Sequence, residues 1–245
     1  MTIIHQSALT ALLSGAFTLP LCGIVYQPPP CPYEVAGGAA MTNPVGRSGG
    51  DGQSSDARMI MLIRHAEKPL HPYGSPRGVN PDGQPDPHSL TVTGWIRAGA
   101  LVELFAPSRG DPPGELRRPD TIYASAHAGG HSKRSMQTVG PLASRLGLQV
   151  VKRYAAGDEA YLVREISSRP GATLVAWHHE ALHRIGHHLG EVNPTPPRHW
   201  PPDRFDVIWT FTLGDHGWRF AQIPQLLLPG DLPYPIPDCS TAAKT

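Results

Sequence analysis

The sequence predicts an α/β fold, a three-layer α/β/α sandwich with a mostly parallel central sheet. Between residues 58 and 224, short apolar runs alternate with stretches whose apolar residues recur at helical spacing. The apolar runs are continuous rather than alternating with polar residues, which is typical of parallel strands covered by helices on both faces. Ligands of such sheets bind beyond the carboxyl ends of the strands, so polar residues that follow the strands are the candidates for a functional site.

The expected strands are short apolar runs bounded by turn-forming or charged residues. They lie at 59–63, 121–124, 149–154, 173–177 and 206–213, and a last strand at 218–223 completes a hairpin. The runs at 59–63 (MIMLI) and 173–177 (TLVAW) contain no charged residue, which is typical of strands buried on both faces.

The helices expected between these strands have apolar residues three or four positions apart, at 95–105, 135–146, 158–167 and 180–189. Gly147 follows the second helix, where a left-handed C-terminal cap is expected. Pro141 lies inside that helix and predicts a kink. The Pro- and Gly-rich loop at 69–89 is longer than a compact domain needs, and we interpret it as a lid or specificity loop.

Composition sets the limits of the domain. The chain has 245 residues, of which 40% are hydrophobic, and this fits one α/β domain at 58–224 with additional segments. Residues 1–57 contain an apolar stretch followed by Pro, Gly and Ser, so a disordered linker and a targeting segment are both open interpretations. Polar and Pro residues interrupt that stretch, and we expect no integral membrane segment. Residues 225–245 are expected to form a C-terminal tail.

The charge balance and the cysteine content limit the partners that the protein can bind and the ways its core can be stabilised. Lys and Arg total 21 against 20 Asp and Glu, so we expect no nucleic-acid partner, and anion binding must come from a local cluster. The three cysteines, Cys22, Cys31 and Cys239, lie outside the patterned region and form no framework for a core. We expect a cytoplasmic protein, with export through the N-terminal segment as the alternative.

Three segments carry the chemistry. The first strand leads directly into Arg64-His65 in the segment LIRHAEKP, which resembles the first motif of the histidine phosphatase superfamily, in its bacterial Arg-His-x-Glu-Lys-Pro form. Residues 121–148 resemble the second motif, with Arg134 ahead of Gln-Thr in a helix. Residues 172–186 resemble the third motif, a strand that ends in a pocket histidine. The three motifs occur in the family's order, which makes the resemblance specific.

The resemblance implies a phosphoglycerate-mutase-like fold and phosphomonoester hydrolysis through a phosphohistidine, with no metal or other cofactor. His65 would be the nucleophile, and its second ring nitrogen would donate to a backbone carbonyl. Arg64 and Arg134 would bind the phosphate, because a guanidinium donates two parallel hydrogen bonds to phosphate oxygens. The implied partner is a phosphorylated small molecule or a phosphoprotein; the oligomeric state stays open. The family often has Gly where this chain has Ala66.

A second histidine is expected to donate to the same phosphate oxygens, and the chain offers two neighbours. Trp177-His178-His179 resembles the Trp-x-His form of the third motif, which favours His179 over His178. Consecutive side chains of an extended segment point in opposite directions, so we expect one of the two to face the pocket.

A general acid is needed to protonate the leaving oxygen. Family members place a carboxylate after the third strand, and Glu159 occupies that region, so we predict Glu159 as the acid and keep Glu67 as the alternative. An acidic residue in the first turn of a helix is equally explained by the helix dipole.

Three other functions stay open. A mutase would return the phosphoryl group from His65 to another hydroxyl group. His179-Glu180-Ala181-Leu182-His183 matches the His-Glu-x-x-His signature of zinc metallopeptidases, which requires both histidines inside one helix. That zinc interpretation leaves Arg64, His65 and Arg134 without a role, and metal binding by exposed histidines of the same helix is the simpler explanation. A phosphate-binding module without catalysis is the third alternative.

Overall fold

The computed structural model describes residues 57–71, 74–126 and 133–237. The N-terminal segment up to residue 56, expected to be a linker or a targeting segment, and the last eight residues lie outside that part of the chain. Eleven elements are found within it, in the order β1 (Met59–Arg64), α1 (Val92–Phe105), β2 (Thr121–Ala124), α2 (Arg134–Leu146), β3 (Val150–Val151), α3 (Glu159–Ile166), β4 (Ala172–Trp177), α4 (His179–His188), β5 (Val192–Asn193), β6 (Val207–Gly214) and β7 (Gly217–Pro224).

The strands form one seven-stranded sheet in the order β3-β2-β4-β1-β6-β7-β5. The pairs β3-β2, β2-β4, β4-β1 and β7-β5 are parallel, whereas β1-β6 and β6-β7 are antiparallel. The expectation of a mostly parallel sheet is therefore confirmed. Strands β1 and β4 lie in the middle with every residue buried, as their uninterrupted apolar sequences predict.

Helices cover both faces of the sheet, which gives the predicted three layers. On one face, Leu101 and Phe105 of α1 and Leu142 of α2 pack with Met61 and Ile63 of β1. On the other face, side chains of α3 and α4 pack with the alternate residues of the same strand. This second cluster includes Ile60, Leu62, Leu162, Leu182 and Ile185. The alternation of β1 side chains between the two clusters follows from the two-residue period of a strand.

Two local features hold α1 against the segment that follows β1. The side chain of Thr91 caps the helix by accepting a hydrogen bond from the Gly94 backbone N–H at 3.2 Å. A Cβ atom at Gly94 would lie 2.5 Å from the Glu67 carbonyl oxygen, so only glycine permits this approach. The helix begins at Val92, three residues before the start expected from apolar spacing, because the cap precedes the first buried residue.

Some elements differ from those expected. Pro141 lies within α2, which continues to Leu146 and ends at Gly147 in the left-handed conformation expected of a cap (φ 66°). Strand β3 has two residues instead of six, and the two-residue strand β5 has no sequence pattern that could predict it. Beyond β7, residues 225–237 form no regular element, but Ile236 is buried in the core and Asp231 binds Arg97. The domain boundaries at 58 and 224 stay predictions.

Candidate active site

The parallel strands β1 and β4 end side by side, and this brings the first and third sequence motifs together. Arg64 pairs with Trp177 in the strand register. The His65 backbone N–H donates to the Trp177 carbonyl oxygen at 3.0 Å. The His65 ring then meets the ring of His178 edge-on, with 5.9 Å between the ring centroids. Residues far apart in the chain thus form one cluster at the carboxyl edge of the sheet, where ligands of such sheets bind.

The ring of His65 is held in one tautomer. Its Nδ1 lies 2.8 Å from the carbonyl oxygen of Ala66. Because a carbonyl oxygen only accepts hydrogen bonds, Nδ1 carries the proton, and Nε2 keeps its lone pair. Burial, and next the positive charge of Arg64, hold the pKa of His65 well below its usual range. A neutral imidazole with a free Nε2 is the form that can act as a nucleophile.

Arg64 is buried beside this ring with part of its hydrogen-bonding capacity unused. Its Nη1 donates to the carbonyl oxygens of Pro201, Pro202 and Arg204 at 3.3, 2.5 and 3.2 Å. The guanidinium carbon lies 3.8 Å from the ring centroid of Phe205. Its Nε and Nη2 have no hydrogen-bond partner among the described residues. Unpaired buried donors are costly, and these two form the edge of the guanidinium that fits an oxyanion with two parallel bonds.

Burial lowers the pKa of Arg64 to about 10, so the side chain remains a cation at neutral pH. Arg134, the first residue of α2, also acts on this cluster. Its charge lowers the pKa of both Arg64 and His65 after the larger effect of burial. The Arg134 side chain is oriented by the carbonyl oxygens of Pro87 and Ser89, at 2.6 and 3.3 Å. The charges of both predicted phosphate-binding arginines therefore act on His65, Arg64 as its neighbour in the chain and Arg134 from the start of α2.

Thr138 links α2 to the segment that follows β1. Its hydroxyl oxygen accepts a hydrogen bond from the Ala66 backbone N–H at 2.8 Å and donates to the Arg134 carbonyl oxygen at 2.7 Å. These bonds fix the position of the Ala66 carbonyl, which in turn holds the His65 ring. The sequence comparison noted the Gln-Thr pair after Arg134 without giving Thr138 this task.

The two neighbouring histidines after β4 both border the cluster. His178 makes the ring contact with His65, while His179 begins α4 and its Nδ1 lies 3.1 Å from a carboxylate oxygen of Glu180. Burial and then the charge of Arg64 lower the pKa of His179 to about 4. His179 as the phosphate-binding histidine stays a prediction, and His178 joins it as a candidate on the strength of its contact with His65.

The two predicted acid candidates are both engaged elsewhere. The carboxyl group of Glu159 accepts a hydrogen bond from Trp177 Nε1 at 3.1 Å and from the Gly157 backbone N–H at 3.0 and 3.2 Å. Glu67 forms an ion pair of 2.7 Å with Arg97. These contacts give each carboxylate a structural task, and the general acid role of Glu159 stays a prediction.

Sequence reasoning gave no role to two features that complete the site. Lys68 is half-buried, and burial followed by the charges of Arg64 and Arg134 lowers its pKa, which places a third cation at the cluster. Residues 201–205 cover Arg64 from the opposite side through three carbonyl oxygens and the Phe205 ring. Lys68 could have been found from its place in the RHAEK motif, whereas backbone carbonyl contacts have no side-chain signature.

The zinc interpretation depended on His179 and His183, which do lie on the same helix. The ring of His183 lies 6.2 Å from that of His187 and 6.3 Å from that of His199. Among the described residues, no group of three His, Cys, Asp or Glu side chains is arranged to hold a metal ion. His179 belongs instead to the cluster around Arg64. Within the same part of the chain, no helix has the length and apolar character required to cross a membrane.

No family model and no curated protein matches this chain. Solved structures similar to it belong to the histidine phosphatase superfamily, the family that its motifs resemble. The protein histidine phosphatase SixA complexed with tungstate is 17% identical, with a TM-score of 0.43 over 68% of this chain and 97% of that one. A phosphoserine phosphatase mutant from Entamoeba histolytica in complex with phosphoserine is 14% identical, with a TM-score of 0.44 over 70% and 100%. A phosphoglycerate mutase from Bacillus anthracis str. Sterne is 10% identical, with a TM-score of 0.39 over 67% and 92%.

Proposed function

We propose that the protein hydrolyses phosphate monoesters through a phosphohistidine intermediate on His65. The observation that carries this proposal is the pairing of two groups at the end of β1. His65 has its Nδ1 fixed by the Ala66 carbonyl, and Arg64 has two buried guanidinium nitrogens that no described residue binds. A neutral nucleophilic nitrogen beside a cation that can donate two parallel hydrogen bonds is suited to attack on a phosphoryl group.

In the first step, the lone pair of His65 Nε2 attacks phosphorus and forms a P–N bond while the ester P–O bond breaks. The leaving oxygen takes a proton from a general acid, and the alcohol departs. In the second step, water attacks phosphorus and gives up a proton to the same group, now acting as a base. The P–N bond breaks, its electron pair returns to Nε2, and inorganic phosphate leaves with His65 neutral again. Arg64 and Arg134 stabilise the equatorial oxygens, whose negative charge persists through both transition states.

The roles of the neighbouring groups follow from their positions. His178 and His179 are the candidates for a further donor to the phosphoryl oxygens, and Lys68 adds a third positive charge that interacts with those of Arg64 and Arg134. The contacts of Glu159 support a positioning role, since its carboxylate holds the Trp177 side chain next to the residues that bind substrate. The substrate is a phosphorylated small molecule or a phosphoprotein.

The test is hydrolysis of p-nitrophenyl phosphate in excess chelator by the wild-type protein, His65→Ala and a control variant, His216→Ala. His216 is exposed in the β6–β7 turn, beside the opposite end of β1. We expect chelator-resistant activity in the wild type and in His216→Ala, and a loss of at least about 10³-fold in His65→Ala, because the covalent route is removed. Activity that survives in His65→Ala would overturn the proposal. Phosphate binding without turnover in the wild type would favour a binding module.

A further inference from the structure

A second basic site lies next to the proposed active site. A cavity of about 570 Å³ opens beside α4. Its lining is entirely nitrogen-bearing and consists of His183, Arg184, His187, His188, Arg198 and His199. None of the described carboxylates lines this cavity, although the chain as a whole has nearly balanced charge. The two arginines are cations at neutral pH, and their charge creates an attractive potential for anions.

The positive charges of this cavity are poorly neutralised by the protein. Arg198 is exposed and forms no hydrogen bond or ion pair with the residues that the structure describes. The closest carboxylate oxygen to Arg184 belongs to Glu159, at 4.0 Å, and that carboxylate is already bound by Trp177 and Gly157. Burial, followed by the charge of Arg184, lowers the pKa of His183, so this ring is a neutral hydrogen-bonding group at pH 7. Arg184 and Arg198 therefore supply the positive charge of the cavity and favour an anionic ligand.

The cavity and the proposed active site share two walls. On α4, His179, His183 and His187 lie four residues apart and therefore form one stripe of the helix surface. Since the helix rises 1.5 Å per residue, His183 and His187 lie about 6 and 12 Å along the axis from His179. On the other wall, the segment that supplies Arg198 and His199 to the cavity continues into the carbonyl groups that hold Arg64.

We propose that this cavity binds a second phosphoryl group of the substrate. The proposal rests on the proposed function, which places the first phosphoryl group against Arg64 and His65. The preferred substrates then carry two phosphoryl groups about 6–12 Å apart, as judged from the rise of α4 between His179, beside the first group, and His183 and His187 of the cavity. A metal ion is a poorer occupant, because two arginines repel it and no metal-binding group of three is found among the described residues.

The experiment measures binding by isothermal titration calorimetry, with full-length His65→Ala protein, prepared without a His tag, to prevent turnover. The probes are hexanediol bisphosphate and hexanediol monophosphate. We expect the bisphosphate to bind at least about tenfold more tightly, because it gains charge-assisted hydrogen bonds to the cavity. Adding Arg198→Ala should lower this preference at least about fivefold, and Arg198→Glu should abolish it.

Arg118→Ala in the same background is the matched control, since Arg118 is exposed and lies just before β2, at the opposite edge of the sheet. It should leave the preference intact. Equal affinity for the two probes, or a preference that survives Arg198→Glu, would overturn the second site. If the wild-type protein hydrolyses no phosphate ester but His65→Ala still prefers the bisphosphate, the proposed function is contradicted and the second anion site is retained.

Discussion

At the scale of single residues, the site depends on a buried arginine with two guanidinium nitrogens that no described residue binds. Three backbone carbonyls and the Phe205 ring hold Arg64, yet its Nε and Nη2 remain unpaired within the described chain. Burial is costly for such a group unless a ligand completes its hydrogen bonds. We therefore expect phosphate binding to depend directly on the Arg64 side chain.

Inorganic phosphate should raise the Tm of the wild-type protein, and this shift should disappear in Arg64→Met, because a ligand stabilises only the state that binds it. The same substitution should lower kcat/KM by about 10² to 10³-fold, the usual effect of removing a group that stabilises transition-state charge. Arg58→Met, at the opposite end of β1, is the control and should keep the phosphate shift. An equal phosphate shift in the wild type and Arg64→Met would show that Arg64 does not contact the anion.

The lowered pKa values of the site histidines have a consequence for stability. Burial lowers the pKa of His65, His178 and His179 in the folded protein, whereas the unfolded chain titrates near its ordinary value of about 6.5. As the pH falls below about 6.5, the unfolded state binds more protons than the folded state, so the free energy of unfolding decreases. Urea denaturation at pH 7 and pH 5 should show this decrease. Both pH values lie above the range in which most carboxylates titrate, so the difference reflects the histidines.

The contribution of His65 to this pH dependence can be measured with a variant that has no titratable side chain at position 65. His65→Gln should lose less free energy of unfolding between pH 7 and pH 5 than the wild type, because one buried imidazole no longer resists protonation. A loss of the same size in both proteins would mean that His65 is protonated as readily in the folded state as in the unfolded state.

Glu159 poses a choice between two roles that kinetics can separate. A general acid matters most for poor leaving groups, so loss of an acid would slow an alkyl phosphate by about 10² to 10⁴-fold and p-nitrophenyl phosphate much less. A carboxylate that positions Trp177 affects both substrates alike. From its contacts, we expect Glu159→Gln to reduce the two rates by similar factors and to lower the Tm. A loss confined to the alkyl ester would establish Glu159 as the acid.

At the scale of elements, a buried ion network connects the segment after β1, which carries His65, to the residues beyond β7. Arg97 of α1 binds Glu67 and Asp231, each at 2.7 Å, and also binds Gln225 at 3.0 Å. The side chains of Arg97 and Asp231 are only 4% and 5% exposed, so removal of one partner leaves the other as an uncompensated buried charge. The segment after β7 thereby helps to fix the position of Glu67, two residues from His65.

Asp231→Asn should lower the free energy of unfolding by about 3 kcal/mol, as expected for breaking a buried pair. Glu115→Gln is the control, because the Arg219–Glu115 pair is more than half exposed and its loss should cost less than about 1 kcal/mol. Chemical denaturation of both variants measures the difference. Equal and small losses would mean that the buried network contributes little to stability.

The elements also show which parts of the fold the sequence could predict. Uninterrupted apolar runs such as 59–63 and 173–177 predicted strands buried on both faces, because such burial leaves no polar alternation. The two residues of β5 could not be predicted, since they pair with Trp218 and Arg219 through backbone contacts alone. Likewise, the burial of Ile236 depends on a tertiary contact that no local pattern encodes.

At the scale of the whole molecule, the sheet order explains why the sequence could predict that three motifs far apart in the chain form one site. The first and third motifs follow β1 and β4, which are parallel neighbours, and Arg134 opens the helix after β2, the next strand along. The choice between His178 and His179 could not be made from sequence, because both follow the same strand end and the start of α4 decides how each ring turns. Residues 201–205 contact Arg64 largely through backbone carbonyl oxygens, and such contacts cannot be predicted from the pattern of side chains.

The central claim is that His65 carries the phosphoryl group, and a rapid-quench experiment with a radiolabelled phosphate monoester tests it most directly. During turnover, the account expects an acid-labile, base-stable label on the protein that maps to the peptide containing His65 and is absent from His65→Ala. Label at another residue, or label of the same amount in His65→Ala, would contradict it.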